Sequence, residues 1–114
     1  MSTIRTLTHP DMPDPAVLVR IAERLKQQYG AERVILYGSV TKGQATIHSD
    51  IDLLVVAPSP EKGYQRMATV RAIVRDLSRG LPLSPIVLTP EELRQRLADE
   101  DPFVREIVES GVEL

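Results

Sequence analysis

The 114-residue sequence contains no cysteine. Disulfides, thiolate metal sites and thiol nucleophiles are thereby excluded, which fits a reducing compartment. Tryptophan is absent too, and with one phenylalanine and three tyrosines the interior must be filled by Leu, Ile and Val. No apolar run approaches the roughly 20 residues needed to span a bilayer, and the start, MSTIRTLTHPDMPDP, lacks the apolar stretch of a signal peptide. A cytoplasmic protein with no membrane partner is expected. There is no excess of positive charge either: 14 basic residues stand against 16 acidic ones. No broad positive field is available to gather duplex nucleic acid.

What is present suits one compact core. A polar, proline-punctuated leader over residues 1–13 precedes a single expected domain over 14–114. Asp14-Pro15 opens a helix, because Asp accepts from free N–H groups and Pro has none to leave unpaired. Leu18, Ile21, Ala22, Leu25 and Tyr29 recur at helical spacing until Gly30. Arg33 to Tyr37 and Ile51 to Ala57 read as buried strands, joined by the loop GSVTKGQATIHS, which has room for one helical turn. Ser59-Pro60 opens a second expected helix, with Met67, Val70, Val74 and Leu77 on one face and Gly80 at its end. Leu83 to Leu88 reads as a third strand, pushed to a sheet edge by Pro85, which cannot donate to a ladder. Thr89-Pro90-Glu91-Glu92 is a capping box leading a helix to about Ala98. Asp101-Pro102 starts the last helix, with Phe103, Val104, Ile107 and Val108 as its apolar side and Gly111 at its end. The order predicts an α/β (α+β) domain with a small sheet covered by helices.

The chemistry gathers at the second strand. Side chains two apart on a strand point the same way, so Asp50 and Asp52 share one face while Ile51 and Leu53 share the other. Two converging carboxylates in an oily strand disfavour joint ionisation unless a cation sits between them. Magnesium suits such a pair, since it accepts one or two protein carboxylates and takes further oxygens from water and phosphate. Gly38-Ser39 supplies the complement: a glycine lets backbone approach a phosphate, and N–H groups with a hydroxyl hold its oxygens. An EF-hand is excluded, because Leu54 and Val55 fall where that loop needs an oxygen donor and a glycine.

The spacing Gly38-Ser39, Gly43, then Ser49-Asp50-Ile51-Asp52 resembles the signature of the DNA polymerase β-like nucleotidyltransferase superfamily. In its brevity it resembles the minimal nucleotidyltransferases, or MNT proteins. The segments VLTPEEL and DPFVREIVESGVEL extend the likeness over most of the chain. The resemblance implies the polymerase β-like fold and transfer of AMP from ATP to a hydroxyl acceptor with two magnesium ions. Residue by residue, Gly38 and Ser39 match the phosphate-holding pair, and Asp50 and Asp52 match the catalytic metal ligands. Lys42 is a further candidate for contact with the nucleotide. Stand-alone MNT proteins of this size often act as antitoxins paired with a HEPN ribonuclease toxin, so the implied acceptor is a toxin tyrosine.

One position departs from that pattern. The family commonly carries a third carboxylate on the next strand, and the segment LPLSPIVL places Ser84 there. Two readings follow: an active adenylyltransferase, or a nucleotidyltransferase scaffold of weakened or lost activity that neutralises its partner by covering it. A transferase acting on a small molecule is a third, disfavoured by the absence of a further domain. The other polar candidates have plain explanations. Lys42 alone would read as a solvated loop residue, His48 as a surface histidine and His9 as part of the leader. Arg71, Arg75 and Arg79 read as a solvent-facing stripe on the long helix. Tyr29 and Tyr37 read as core or core-edge residues.

Overall fold

The computed structural model describes residues 13–43 and 50–114. Its elements are α1 (Pro15–Gln28), β1 (Arg33–Tyr37), β2 (Ile51–Val56), α2 (Gly63–Ile73), β3 (Leu83–Leu88), α3 (Pro90–Ala98), α4 (Pro102–Ser110) and β4 (Val112–Glu113). Three helices begin as their side chains demand. Asp14 accepts from the Ala16 N–H at 2.9 Å. Thr89 and Glu92 exchange a reciprocal pair of bonds at 3.1 and 2.8 Å. Asp101 accepts from the N–H groups of Phe103 and Val104 at 3.0 and 3.3 Å, so otherwise unpaired donors of each first turn are met.

The second helix differs from expectation at both ends. Ser59 accepts from the Glu61 N–H at 3.1 Å, closing a turn rather than starting a helix. The helix starts at Gly63 instead, where the Gln65 side chain accepts from the Lys62 N–H at 3.1 Å. It stops at Ile73, and residues 74–80 continue as turns and bends. Bonds of both i−3 and i−4 type, from Leu77 and Ser78 to the Val74 carbonyl, keep the chain coiled there. Val74 is therefore fully buried although regular helix has ended. Apolar spacing alone cannot distinguish these cases.

The strands form one sheet in the order β3-β2-β1-β4. β1 is antiparallel to both β2 and β4, and β2 is parallel to β3. Pro85 lies on an edge strand, as its missing donor requires. The two-residue β4 lies just beyond the Gly111 that ends the last expected helix and was not anticipated as a strand. A Cβ on Gly111 would collide with Ile35 and with the Ile107 carbonyl, so only glycine lets the chain turn from α4 straight onto the edge of β1.

Strand alternation divides the core between the two faces. Val34, Leu36, Leu53 and Val55 pack with Leu18, Ile21 and Leu25 of α1 and with Val70 and Val74. Ile35, Leu54 and Val56 turn the other way, onto Leu88, Leu93, Val104 and Ile107. The first layer is the larger. Among the described residues, no helix is long and apolar enough to cross a membrane.

Candidate functional site

β2 carries the site on its less covered face. Asp52 pairs in register with Tyr37 of β1 on one side and with Ser84 of β3 on the other. Cross-strand partners share a face, so Tyr37, Asp52 and Ser84 form a polar row across the sheet. The next row on that face, Ile35, Leu54 and Ile86, is apolar. Ile51 and Leu53 are 2% and 0% exposed on the opposite layer, as the alternation requires. Asp50 lies just before β2 and is exposed.

Asp52 feels both its burial and its neighbour Asp50. Burial raises the Asp52 carboxyl above its ordinary value, and the negative charge of Asp50 adds to the rise. Both effects are those a bound cation would relieve. Burial, then the Asp52 charge, pushes the Tyr37 hydroxyl up to about 12, so Tyr37 stays protonated across the physiological range.

The turn after β1 is built around this carboxylate. Gly38 has φ of 85°, and a Cβ there would run into Asp52 Oδ2. Glycine thus permits both the left-handed backbone and the close approach. The Thr41 N–H and hydroxyl both donate to the Gly38 carbonyl, at 3.1 and 2.8 Å. The Lys42 N–H donates to the Ser39 carbonyl at 3.2 Å. Val40, 2% exposed, anchors the turn in the α1 layer. Lys42 Nζ reaches Glu106 Oε1 of α4 at 3.2 Å, tying the turn to the C-terminal helix.

Between the turn, Asp52 and α4 lies a cavity of about 330 Å³. Gly38, Lys42 and Asp52 line it, so three of the five expected site residues converge on one space. Ser39 belongs to the turn, and Asp50 stands at the head of the strand. Ser49 and His48, expected beside the Asp pair, fall outside the described residues, as does His9.

Two contributors to this cavity were read from sequence as core. Tyr37 is half-buried as expected, yet it also forms a wall. Phe103, expected on the apolar side of α4, is 49% exposed and lines the cavity edge-on to Tyr37, with ring centroids 5.7 Å apart and planes at 82°. The signal was available: Phe103, Val104, Ile107 and Val108 form a stripe wider than one short helix can bury. Val104 and Ile107 take the core positions, at 3% exposure each, and Phe103 is left at the flank. Glu106 had no signal beyond its place on the helix.

The donor set fits a hard divalent cation of magnesium type. Two carboxylates, leaving room for water and phosphate oxygens, match what that ion accepts. A third acidic ligand is not gathered with them: among the described residues there is no cluster of three His, Cys, Asp or Glu that could hold a metal. Ser84, in register with Asp52, occupies the place where the resemblance leads one to expect a carboxylate.

Comparison with known proteins bears on the fold and the family. Residues 18–114 match the family described as nucleotidyltransferase domain. A Methanocaldococcus jannaschii protein, provisionally named a protein adenylyltransferase, is 34% identical over 82 residues, covering 68% of this chain and 56% of that one. The chain thus spans little more than half the length of that relative. A Sulfolobus solfataricus crystal structure, provisionally described as a nucleotidyltransferase, superposes with a TM-score of 0.54 at 25% identity, covering 70% of each chain.

Proposed function

Because the chain belongs to the nucleotidyltransferase domain family, we propose that it transfers AMP from ATP to a tyrosine hydroxyl of a HEPN-type toxin, acting as that toxin's antitoxin. The observation that supports this most is the approach of Gly38 to Asp52: in this reading the turn that would hold phosphate and the carboxylate that would hold metal border one cavity. The named relative, provisionally a protein adenylyltransferase, points to a protein acceptor.

In this reading Asp50 and Asp52 hold magnesium, and Gly38, Ser39 and Lys42 hold the triphosphate. When bound, the ion supplies positive charge against the phosphate oxygens. The acceptor oxygen forms a bond to the α-phosphorus, and the bond from that phosphorus to the β-phosphate oxygen breaks. The acceptor gains AMP, pyrophosphate leaves with the electron pair, and the hydroxyl proton passes to solvent. Ser84 provides no base, so the chain's own contribution is orientation and charge. Lys42 must exchange Glu106 for phosphate to take part.

Ser84 beside Asp52 favours a second reading, a binding module that silences its partner by covering it. Incubation with the HEPN partner, α-labelled ATP and magnesium separates the two. Label should appear on the partner, and Asp50→Asn with Asp52→Asn should remove it by about a hundredfold or more together with neutralisation. Neutralisation by the double variant at wild-type strength, with no label in either case, would establish the covering module instead.

A further inference from the structure

We propose that the corner formed by Phe103 and Tyr37 is the seat of the nucleoside, the base lying flat against the Phe103 ring, so that α4 supplies the stacking platform for the base. The proposal rests on the nucleotidyltransferase reading above and deepens it. It starts from a residue in an unfavourable place. Phe103 is the chain's one phenylalanine, and it stays 49% exposed although a buried stripe runs one residue away on the same helix. Its position is not slack. Asp101 accepts from its N–H at 3.0 Å, and Tyr37 meets it at a right angle.

An edge-to-face pair makes a corner rather than a closed stack. A flat ligand can lie on one ring while touching the edge of the other. Every base offers such a π-face, and aromatic side chains serve as platforms for bases on that account. The occupant is identified by what adjoins the corner. The same cavity is bounded by Gly38, Lys42 and Asp52, the groups that suit a triphosphate and its cation. A molecule with its phosphates on that side carries a nucleoside on the other. The volume of about 330 Å³ lies at the small end of ligand pockets, which run from roughly 300 to 1,000 Å³, and suits a small molecule rather than a peptide segment. Ile107 forms an apolar part of the lining, while Glu106 and Ser110 offer polar atoms near it.

The test compares ATP with inorganic tripolyphosphate, both with magnesium, by calorimetry. The wild type should bind ATP at least about fivefold more tightly, the low end of what one base stack contributes. Phe103→Ala should bring that ratio close to one while leaving tripolyphosphate affinity unchanged, and Phe103→Trp should keep it. Phe103→Leu, which preserves apolar bulk but lacks a flat ring, should behave as the alanine variant does and guards against a folding artefact. A ratio near one in the wild type, or a ratio untouched in both the alanine and leucine variants, overturns the seat while the transferase reading stands. Failure of the wild type to bind either ligand removes both.

Discussion

The two faces of the sheet are built from the same strands yet do opposite work. On the α1 side β2 contributes Ile51, Leu53 and Val55 to a closed apolar layer. On the α4 side the same strand contributes Leu54 and Val56 to a smaller cluster, and then Asp52, against a cavity. One residue of register separates a side chain that holds the fold together from one that strains it. The contrast teaches that the closed face tolerates the open one: burial of the first layer offsets a carboxylate kept partly desolvated beside another.

Neighbouring substitutions on β2 put this to the test with opposite signs. Leu53→Ala should cost about 2–5 kcal/mol, because Leu53 is 0% exposed and its deletion leaves a cavity. Asp52→Asn should raise the melting temperature in the presence of a chelator, since it removes a charge disfavoured by burial and by Asp50. Thermal denaturation of both variants in EDTA checks the pair. If Asp52→Asn lowers the melting temperature there, the carboxylate is structural and the contrast between faces fails.

A smaller effect is expected where the faces meet the turn. Gly38→Ala imposes a left-handed backbone on alanine, costing about 1–2 kcal/mol, and its Cβ collides with Asp52. Nucleotide binding should fall much further than stability does. Gly30→Ala, also at positive φ but with nothing within 4 Å of a Cβ, should cost a similar strain and leave binding alone. Equal binding losses in the two variants would show that backbone strain, not the approach to Asp52, is what matters.

How much of this could be read in the residues differs by level. The starts of α1, α3 and α4 were legible because Asp14, Thr89 and Asp101 act within their own turns, whereas Ser59-Pro60 only closes a turn ahead of α2. Pro85 was legible because its missing donor is a property of the residue itself. The strand alternation set Asp52 on the face opposite Ile51 and Leu53, and Leu83 to Leu88 forms the expected edge strand, with Ser84 in register beside Asp52. What escaped depends on contacts between distant segments. β4 exists because Gly111 fits against Ile35, 76 positions away in the chain by number. Likewise Phe103 reaches Tyr37 only once α4 has crossed β1, and the tie from Lys42 to Glu106 leaves no local trace. Residues 74–80 stayed coiled without being regular helix, so their apolar spacing read as more helix than is there.

The smallest expected effect concerns the far side of the open layer, where α3 covers the sheet without forming a site. There Glu92 accepts from the Thr89 N–H and pairs with Arg66. The Thr89 N–H, followed by Arg66, lowers its carboxyl below the ordinary 4.5. A depressed carboxyl contributes stability that is fully present above the unfolded value. As the pH falls below 4.5 the unfolded chain takes up the proton first, and the contribution is lost as the pH passes the lower folded value. Glu92→Gln keeps an acceptor for the Thr89 N–H and removes only the charge. With the Glu92 side chain 45% exposed, solvent screening limits the cost to about 0.5 kcal/mol at neutral pH. The gap between wild type and variant should close on acidification below 4.5 and narrow in high salt. Urea titrations across that range measure it, and a gap that widens in acid would mean that the pairing with Arg66, and with it the ordinary stabilising character of this end of the face, has been misassigned.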